Sequence, residues 1–416
     1  MAANSLTIVI PALNEEEAIA GTISRCLEAR REIAKAAGLE AVEIIVVSDG
    51  STDRTAEIAG SFNDVKVIVF ERNRGYGAAI MEGFRQGSGT LVGFLDADGT
   101  CDPRYFAEMC RLALKERFDI VLGSRMGPES KMPKLRRVGN RLYAALLGFL
   151  SGRFVTDTAS GMRVLRRTAL ETLYPLPTGL HFTPSMSARA LMSGLRITEV
   201  PMQYHERVGR SKLSVVKDGV RFLQAILASA LCYRPEFLFL IGFAFCLALS
   251  ALLAMYPIEF YMERRFIHEW MIYRFVVCFL LGSVGFLFLC AAAVAQHMAS
   301  IRRKRRDANP FWGAAIATLF RGRTLWVFSG VTVLASVLLV WPGIVQYVGT
   351  GQVTLHWSRV IVAAFGLLLT IQAAVTRVLL EILDLWAIQD LAEPERVAAS
   401  APRPVAARRR PGKVAV

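Results

Sequence analysis

No pair or cluster of cysteines in this chain has a spacing that suits a metal or a redox couple. The seven cysteines (26, 101, 110, 232, 246, 278 and 290) are scattered, and three lie in or beside apolar runs. They read as reduced, structural residues. No secretory signal opens the sequence: Leu6 to Leu13 is short, contains Pro11 and runs into Glu15-Glu16-Glu17, so the first part is expected on the cytosolic side. There is no internal repeat. There is no basic-aromatic module to go with the net charge of +14, so nucleic acid is not expected as a partner. The second half also lacks charge over long stretches. Phe237–Tyr256, Phe275–Gln296, Leu325–Val348 and Val360–Thr376 contain no charged residue. A bilayer core takes about 20 apolar residues as a helix, so four spans are expected, the last closed by Arg377, whose stem can snorkel.

The basic residues are placed beside those runs. Ile301-Arg302-Arg303-Lys304-Arg305-Arg306 lies between the second and third, with Arg321 and Arg323 beyond it, and Arg408-Arg409-Arg410 lies in the tail. By the positive-inside rule these segments face the cytosol, and four spans return the chain to its starting side. Anionic lipid headgroups are the simplest partner for the excess charge, although plain topology determinants explain Arg302–Arg306 equally well. Val215–Ala230 has apolar residues at helical spacing with Lys217, Asp218, Arg221 and Gln224 opposite. It reads as an interfacial helix on the membrane or as an ordinary domain helix, and Asn309–Phe320 as a second such segment. The domain plan is then a cytosolic domain over 1–214, a juxtamembrane amphipathic helix over 215–235, four spans over 236–390 with a basic loop over 300–323, and a disordered basic tail over 391–416.

Before the spans, strand and helix patterns alternate. Strands are expected at Leu6–Ile10, Glu43–Val47, Val65–Phe70, Leu91–Leu95 and Ile120–Leu122, and helices at Glu15–Ala37, Arg54–Gly60, Gly75–Gln86 and Tyr105–Glu116. Such alternation predicts an α/β fold with a mainly parallel sheet and flanking helices. Ligands of such sheets sit beyond the carboxyl ends of the strands. That gathers Pro11-Ala12-Leu13-Asn14-Glu15, Ser48-Asp49-Gly50, Asp96-Ala97-Asp98 and Gly123-Ser124-Arg125 around one crevice. Asp96 and Asp98, two residues apart just past a strand, can share one hard divalent cation and leave it bonds for a diphosphate. An exposed acidic turn is the plain alternative.

Taken together, these motifs resemble those of family 2 glycosyltransferases, specifically the membrane-anchored polyprenyl-phosphate type to which dolichol-phosphate mannose synthase belongs. The resemblance covers about residues 6 to 220 and implies a GT-A-like nucleotide-sugar domain. It implies that Pro11, Leu13, Asn14 and Glu15 line the nucleotide pocket and that Asp49 accepts hydrogen bonds from the base. Asp96 and Asp98 would hold Mg²⁺ or Mn²⁺ and the nucleotide sugar. Thr100 stands where relatives often carry Gln, and Ser48 where they often carry a second acid. Asn73-Arg74-Gly75-Tyr76-Gly77 matches a glycine-bearing turn, read here as mostly structural. Arg125, Arg136 and Arg137 would face the acceptor phosphate, which arginine can grip bidentately; a solvated basic face is the alternative. Asp157, in Asp-Thr-Ala-Ser-Gly-Met-Arg, would be the catalytic carboxylate on the acceptor side. Arg207 and Lys212 would clamp the departing diphosphate.

The activity so implied is inverting transfer of one hexose from a nucleoside diphosphate sugar, of the GDP-mannose or UDP-glucose type, to a membrane polyprenyl phosphate. Rival readings are a processive polysaccharide synthase, which would normally show a Gln-x-x-Arg-Trp segment absent here, and a non-enzymatic membrane scaffold with a degenerate transferase domain. The expected location is a bacterial cytoplasmic membrane, with the catalytic domain and both termini cytosolic. A homo-oligomer is compatible with this plan.

Overall fold

The computed structural model describes residues 4–128, 130–208, 215–302, 319–320 and 323–400. It divides into two compact units, Met1–Phe237 and Leu238–Val416. The first is built on seven strands: β1 (Ser5–Ala12), β2 (Ala41–Asp49), β3 (Lys66–Phe70), β4 (Leu91–Leu95), β5 (Ile120–Ser124), β6 (Met162–Arg166) and β7 (Ile197–Pro201). Their order across the sheet is β3-β2-β1-β4-β6-β5-β7. All neighbours are parallel except β6, which runs antiparallel to both β4 and β5.

The helices of this unit are α1 (Ile19–Ala37), α2 (Thr55–Gly60), α3 (Tyr76–Gln86), α4 (Tyr105–Lys115), α5 (Lys134–Ser151), α6 (Ala169–Leu173), α7 (Phe182–Met192) and α8 (Val215–Tyr233). Alternation along β1 sorts them onto two faces, because successive strand side chains point to opposite sides. Leu6, Ile8 and Ile10 join Ile19, Ile23 and Cys26 of α1 and Phe106 and Met109 of α4 in one core. Val9 joins Ile80 and Phe84 of α3 and Phe182 and Met186 of α7 in the other. Burying each such side chain contributes about 1.5–3 kcal/mol. Gly83 of α3 has no room for a Cβ against Val9, and this is what lets α3 lie close to the sheet.

The structure differs from the sequence reading in several places. Pro11 does not stop the first strand; β1 continues to Ala12. The ladder between β1 and β4 has already ended at Val9 and Phe94, so the N–H that proline lacks is not needed on that side. α1 starts at Ile19 rather than Glu15, because residues 16–18 form a turn in which the Ala18 and Ile19 N–H groups donate to the Glu15 carbonyl at 3.0 and 2.9 Å. Strands β6 and β7 and helices α5, α6 and α7 have no counterpart in the sequence reading. α8 belongs to the first unit: Phe222, Ile226 and Ala230 are buried, while Val220, Leu223, Leu227 and Leu231 on another face are exposed.

The second unit contains α9 (Glu236–Arg264), α10 (Glu269–Arg302), α11 (Arg323–Thr350) and α12 (Trp357–Ser400). All four are long and apolar enough to cross a membrane. Two polar pairs cross between them, as polar groups in hydrocarbon favour: Gln372 Nε2 donates to Ser283 Oγ at 3.1 Å, and His297 Nε2 lies 2.9 Å from Asp384. The expected amphipathic segment Asn309–Phe320 falls largely outside the described residues. α12 runs on to Ser400, where a disordered tail was expected from 391. The Arg408–Arg410 run is outside the described residues.

Candidate active site

At the carboxyl edge of the sheet the loops after β1, β2 and β4 are tied together by side chains. Asn14, at φ 48°, accepts the Thr52 N–H at 2.8 Å, and its own N–H donates to Ser51 Oγ at 3.1 Å. Asp53 accepts the Thr55 N–H at 3.0 Å and the Glu16 N–H at 3.2 Å, which favours the start of α2. Asp49 is buried, and its two carboxylate oxygens accept the Arg74 and Gly75 N–H groups at 2.6 and 2.9 Å. It therefore holds the turn that launches α3, whatever else it binds.

The acidic turn after β4 is held from both sides. Thr22 of α1 donates to the Ala97 carbonyl at 2.9 Å. Asp98, 4% exposed, accepts from Thr100 Oγ1 at 2.6 Å and lies 3.2 Å from Arg207 Nη1. The other Arg207 terminal nitrogen donates to Glu15 at 2.6 Å. Backbone bonds dock the segment carrying Arg207 onto the turn, from Val208 N–H to the Asp98 carbonyl and from His205 N–H to the Thr100 carbonyl. Asp96 accepts the Tyr76 hydroxyl at 2.7 Å. Gly161 lies against its carboxylate with no space for a Cβ.

Burial, and then the charge of Asp98, push the Asp96 carboxyl up to about 7. The arginines nearby do not fully offset two carboxylates at this place, and a cation would. Among the described residues no group of three His, Cys, Asp or Glu side chains converges. The donor set fits a hard divalent ion that takes its remaining oxygens from a substrate and water.

A second charged cluster lies beneath. Asp157 is fully buried and pairs bidentately with Arg125, at 2.7 Å from Nε and 2.9 Å from Nη2. It also accepts from the Arg125 N–H, Asn140 Nδ2 and the Ala159 N–H, at 3.0, 2.9 and 3.2 Å. Burial works against its ionisation, but Arg125 and these donors outweigh burial and hold the carboxyl below its ordinary value. With its oxygens committed in this way, Asp157 orients Arg125, whose guanidinium also stacks on Tyr204 at 5.5 Å. Arg163, fully buried, donates to the Thr158 and Ser160 carbonyls at 2.8 and 3.2 Å and fixes the same turn from below.

Two cavities meet here. One, of about 380 Å³, is lined by Leu13, Glu15, Asp49, Asp98, Arg207 and Arg221 among others. The other, of about 300 Å³, is mainly apolar and is walled by α5 and α8 through Leu135, Leu142, Tyr143 and Phe222, with Arg125 and Arg136 also in its lining. Tyr76, Asp96, Arg136 and Leu180 line both.

The expected residues thus divide. Pro11, Leu13, Glu15, Asp49, Asp96, Asp98 and Arg207 share the first cavity, while Asn14 braces its loop. Arg125 and Arg136 reach the second. Arg137 is turned away, donating to the Gly127 and Ser130 carbonyls at 3.2 and 3.0 Å. Lys212 lies outside the described residues. Sequence reasoning gave no site role to Tyr76 or to Arg221. Tyr76 had a readable signal, a phenol opening a helix just after a strand-end glycine turn. Arg221 had none, since α8 showed no sign of reaching the crevice.

Residues 7–174 match the family model "Glycosyl transferase family 2". A dolichyl-phosphate hexose transferase of Haloferax volcanii is 33% identical over 229 residues, which are 54% of this chain and 92% of that protein. The chain belongs to glycosyl transferase family 2. This glycosyltransferase is also 34% identical over 244 residues to the low-salt glycan biosynthesis hexosyltransferase Agl6 of the same organism. That match takes in 57% of the chain but only 55% of the length of Agl6. An undecaprenyl-phosphate 4-deoxy-4-formamido-L-arabinose transferase of Yersinia pestis is 29% identical over 259 residues, 59% of the glycosyltransferase and 76% of the relative.

Proposed function

We propose that this glycosyltransferase moves one hexose from a nucleoside diphosphate sugar, of the GDP-mannose or UDP-glucose type, to the phosphate of a membrane polyprenyl phosphate. The observation that carries the reading is the meeting of the two cavities at Asp96. One is polar, with carboxylates and Arg207. The other is mainly apolar with Arg125 and Arg136 in its lining, a combination suited to a phosphate on a hydrocarbon chain. The names of two relatives, a dolichyl-phosphate hexose transferase and an undecaprenyl-phosphate sugar transferase, support the acceptor class.

In this reading the loops after β1 and β2 hold the nucleoside, and Arg207 lies on the diphosphate. Arg125, aimed by Asp157, and Arg136 receive the lipid phosphate. A phosphate oxygen attacks the anomeric carbon as the bond to the diphosphate breaks, and the nucleoside diphosphate departs with the electron pair from the opposite face. Configuration inverts. A phosphate monoester is largely ionised near neutral pH, so no strong base is needed, and the committed carboxylate of Asp157 acts through Arg125. Asp96 and Asp98 would hold Mg²⁺ or Mn²⁺, which neutralises charge on the diphosphate. Arg207 and Lys212 supply further charge stabilisation in the transition state. The four apolar helices keep the enzyme where a prenyl chain resides, with the catalytic unit and both termini on the cytosolic face and basic loops against anionic lipid.

The test is a donor screen with the full-length protein and a C₅₅ polyprenyl phosphate, read by mass spectrometry. A lipid product heavier by one hexose is expected. Transfer only to a growing glycan, or no nucleotide sugar consumed by any combination, would overturn the proposal.

A further inference from the structure

Tyr76 occupies an unusual position between the two cavities. It is the first residue of α3, directly after Gly75, whose φ is 104° and which packs against the Thr178 carbonyl. Its ring meets Phe94 of β4 edge-on at 6.5 Å and Phe182 of α7 at 6.4 Å, and those two rings meet each other at 6.0 Å. Three elements therefore fix the plane of the phenol. The Gly77 N–H donates to the Thr178 carbonyl at 2.6 Å and pins the helix start as well. Little freedom is left to the hydroxyl, which donates to Asp96 at 2.7 Å.

Asp96 is confined from the other side by Gly161. Unlike Asp98, which has Thr100 and Arg207, Asp96 has this phenol as its only hydrogen-bond donor among the described residues. A carboxylate that binds a metal is itself usually held by an outer hydrogen bond, and losing that bond typically weakens metal affinity about 10–100-fold.

We propose that Tyr76 is a positioning residue for the Asp96 carboxylate, holding it aimed at the cation and diphosphate while its ring forms part of the wall of the acceptor cavity. The proposal rests on the cation site assigned above to Asp96 and Asp98. It gives a specific role to a residue in a turn that reads as structural.

The experiment uses full-length protein in detergent and measures Mn²⁺ binding by electron paramagnetic resonance, with UDP or GDP present. Tyr76→Phe keeps the ring and its packing and removes only the hydroxyl. Its Mn²⁺ dissociation constant is expected to rise about tenfold or more, with a matching rise in the Mn²⁺ concentration for half-maximal turnover. Asp96→Asn serves as the reference and should weaken binding further. Unchanged binding in Tyr76→Phe with weakened binding in Asp96→Asn overturns the role of Tyr76 alone. Unchanged binding in both overturns the cation site beneath it. A second measurement leaves the hydrogen bond intact: with 3-fluorotyrosine at position 76, the ¹⁹F resonance should move on adding Mg²⁺ and nucleotide, and a stationary resonance overturns the proposal even if Tyr76→Phe does not fold.

Discussion

Arg125 and Asp157 are a buried pair in which each depends on the other. Removing one partner of such a pair leaves an uncompensated charge and typically costs about 3–5 kcal/mol. Asp157→Asn is therefore expected to lower the unfolding midpoint in urea and to slow transfer, while nucleotide affinity, which the proposed function places in the other cavity, stays the same. The pair also sets a pH dependence. Asp157 has a depressed pKa in the folded protein. Its contribution is thus present above the unfolded carboxyl value of about 3.9 and is lost as pH falls through the folded value. Asp96 has the opposite sign. Its carboxyl is raised to about 7, so protons compete with a cation at neutral pH. Mn²⁺ affinity measured by titration should rise between about pH 6 and 8, and a flat profile would remove Asp96 from the cation site.

The elements that build the site differ in how well the sequence announces them. Strands β1 to β5 are short apolar runs bounded by turns, and their patterns suffice to place Asp49, Asp96, Asp98 and Arg125 at one edge. β6 could not be read this way. Its residues Met162-Arg163-Val164-Leu165-Arg166 carry two arginines, and the inward one can be fully buried because its N–H groups donate to the Thr158 and Ser160 carbonyls. That is a tertiary circumstance with no local signature. Its reversed direction is equally invisible, yet it puts the turn before the strand, with Asp157 and Gly161, at the same edge as the turns after the others. The family motifs led to these residues where periodicity could not. The segment over 205–208 depends on the acidic turn for its backbone bonds and ion pairs. Arg207→Ala should lower turnover about 10²–10³-fold, in kcat as well as kcat/KM, if it stabilises charge developing on the leaving group. A change confined to KM would make it a ground-state contact only.

For the whole molecule, apolar runs in the sequence anticipate all four long helices, although not their full lengths. Reporter fusions at residues 1, 305 and 400 should fall on one side of the membrane and a fusion at 350 on the other. A fusion at 305 on the far side would overturn the cytosolic placement of the basic loop.

The two cavities draw on different parts of the chain. Most of the first is made by strand ends before residue 100, whereas the apolar walls of the second come from α5 and α8. Among the described residues, only Tyr76, Asp96, Arg136 and Leu180 line both. On the proposed function, sugar preference and lipid preference are therefore open to separate inheritance: a lineage could exchange one sugar for another through substitutions near its amino terminus and go on using the same carrier lipid. The shared residues are where such drift would be least tolerated.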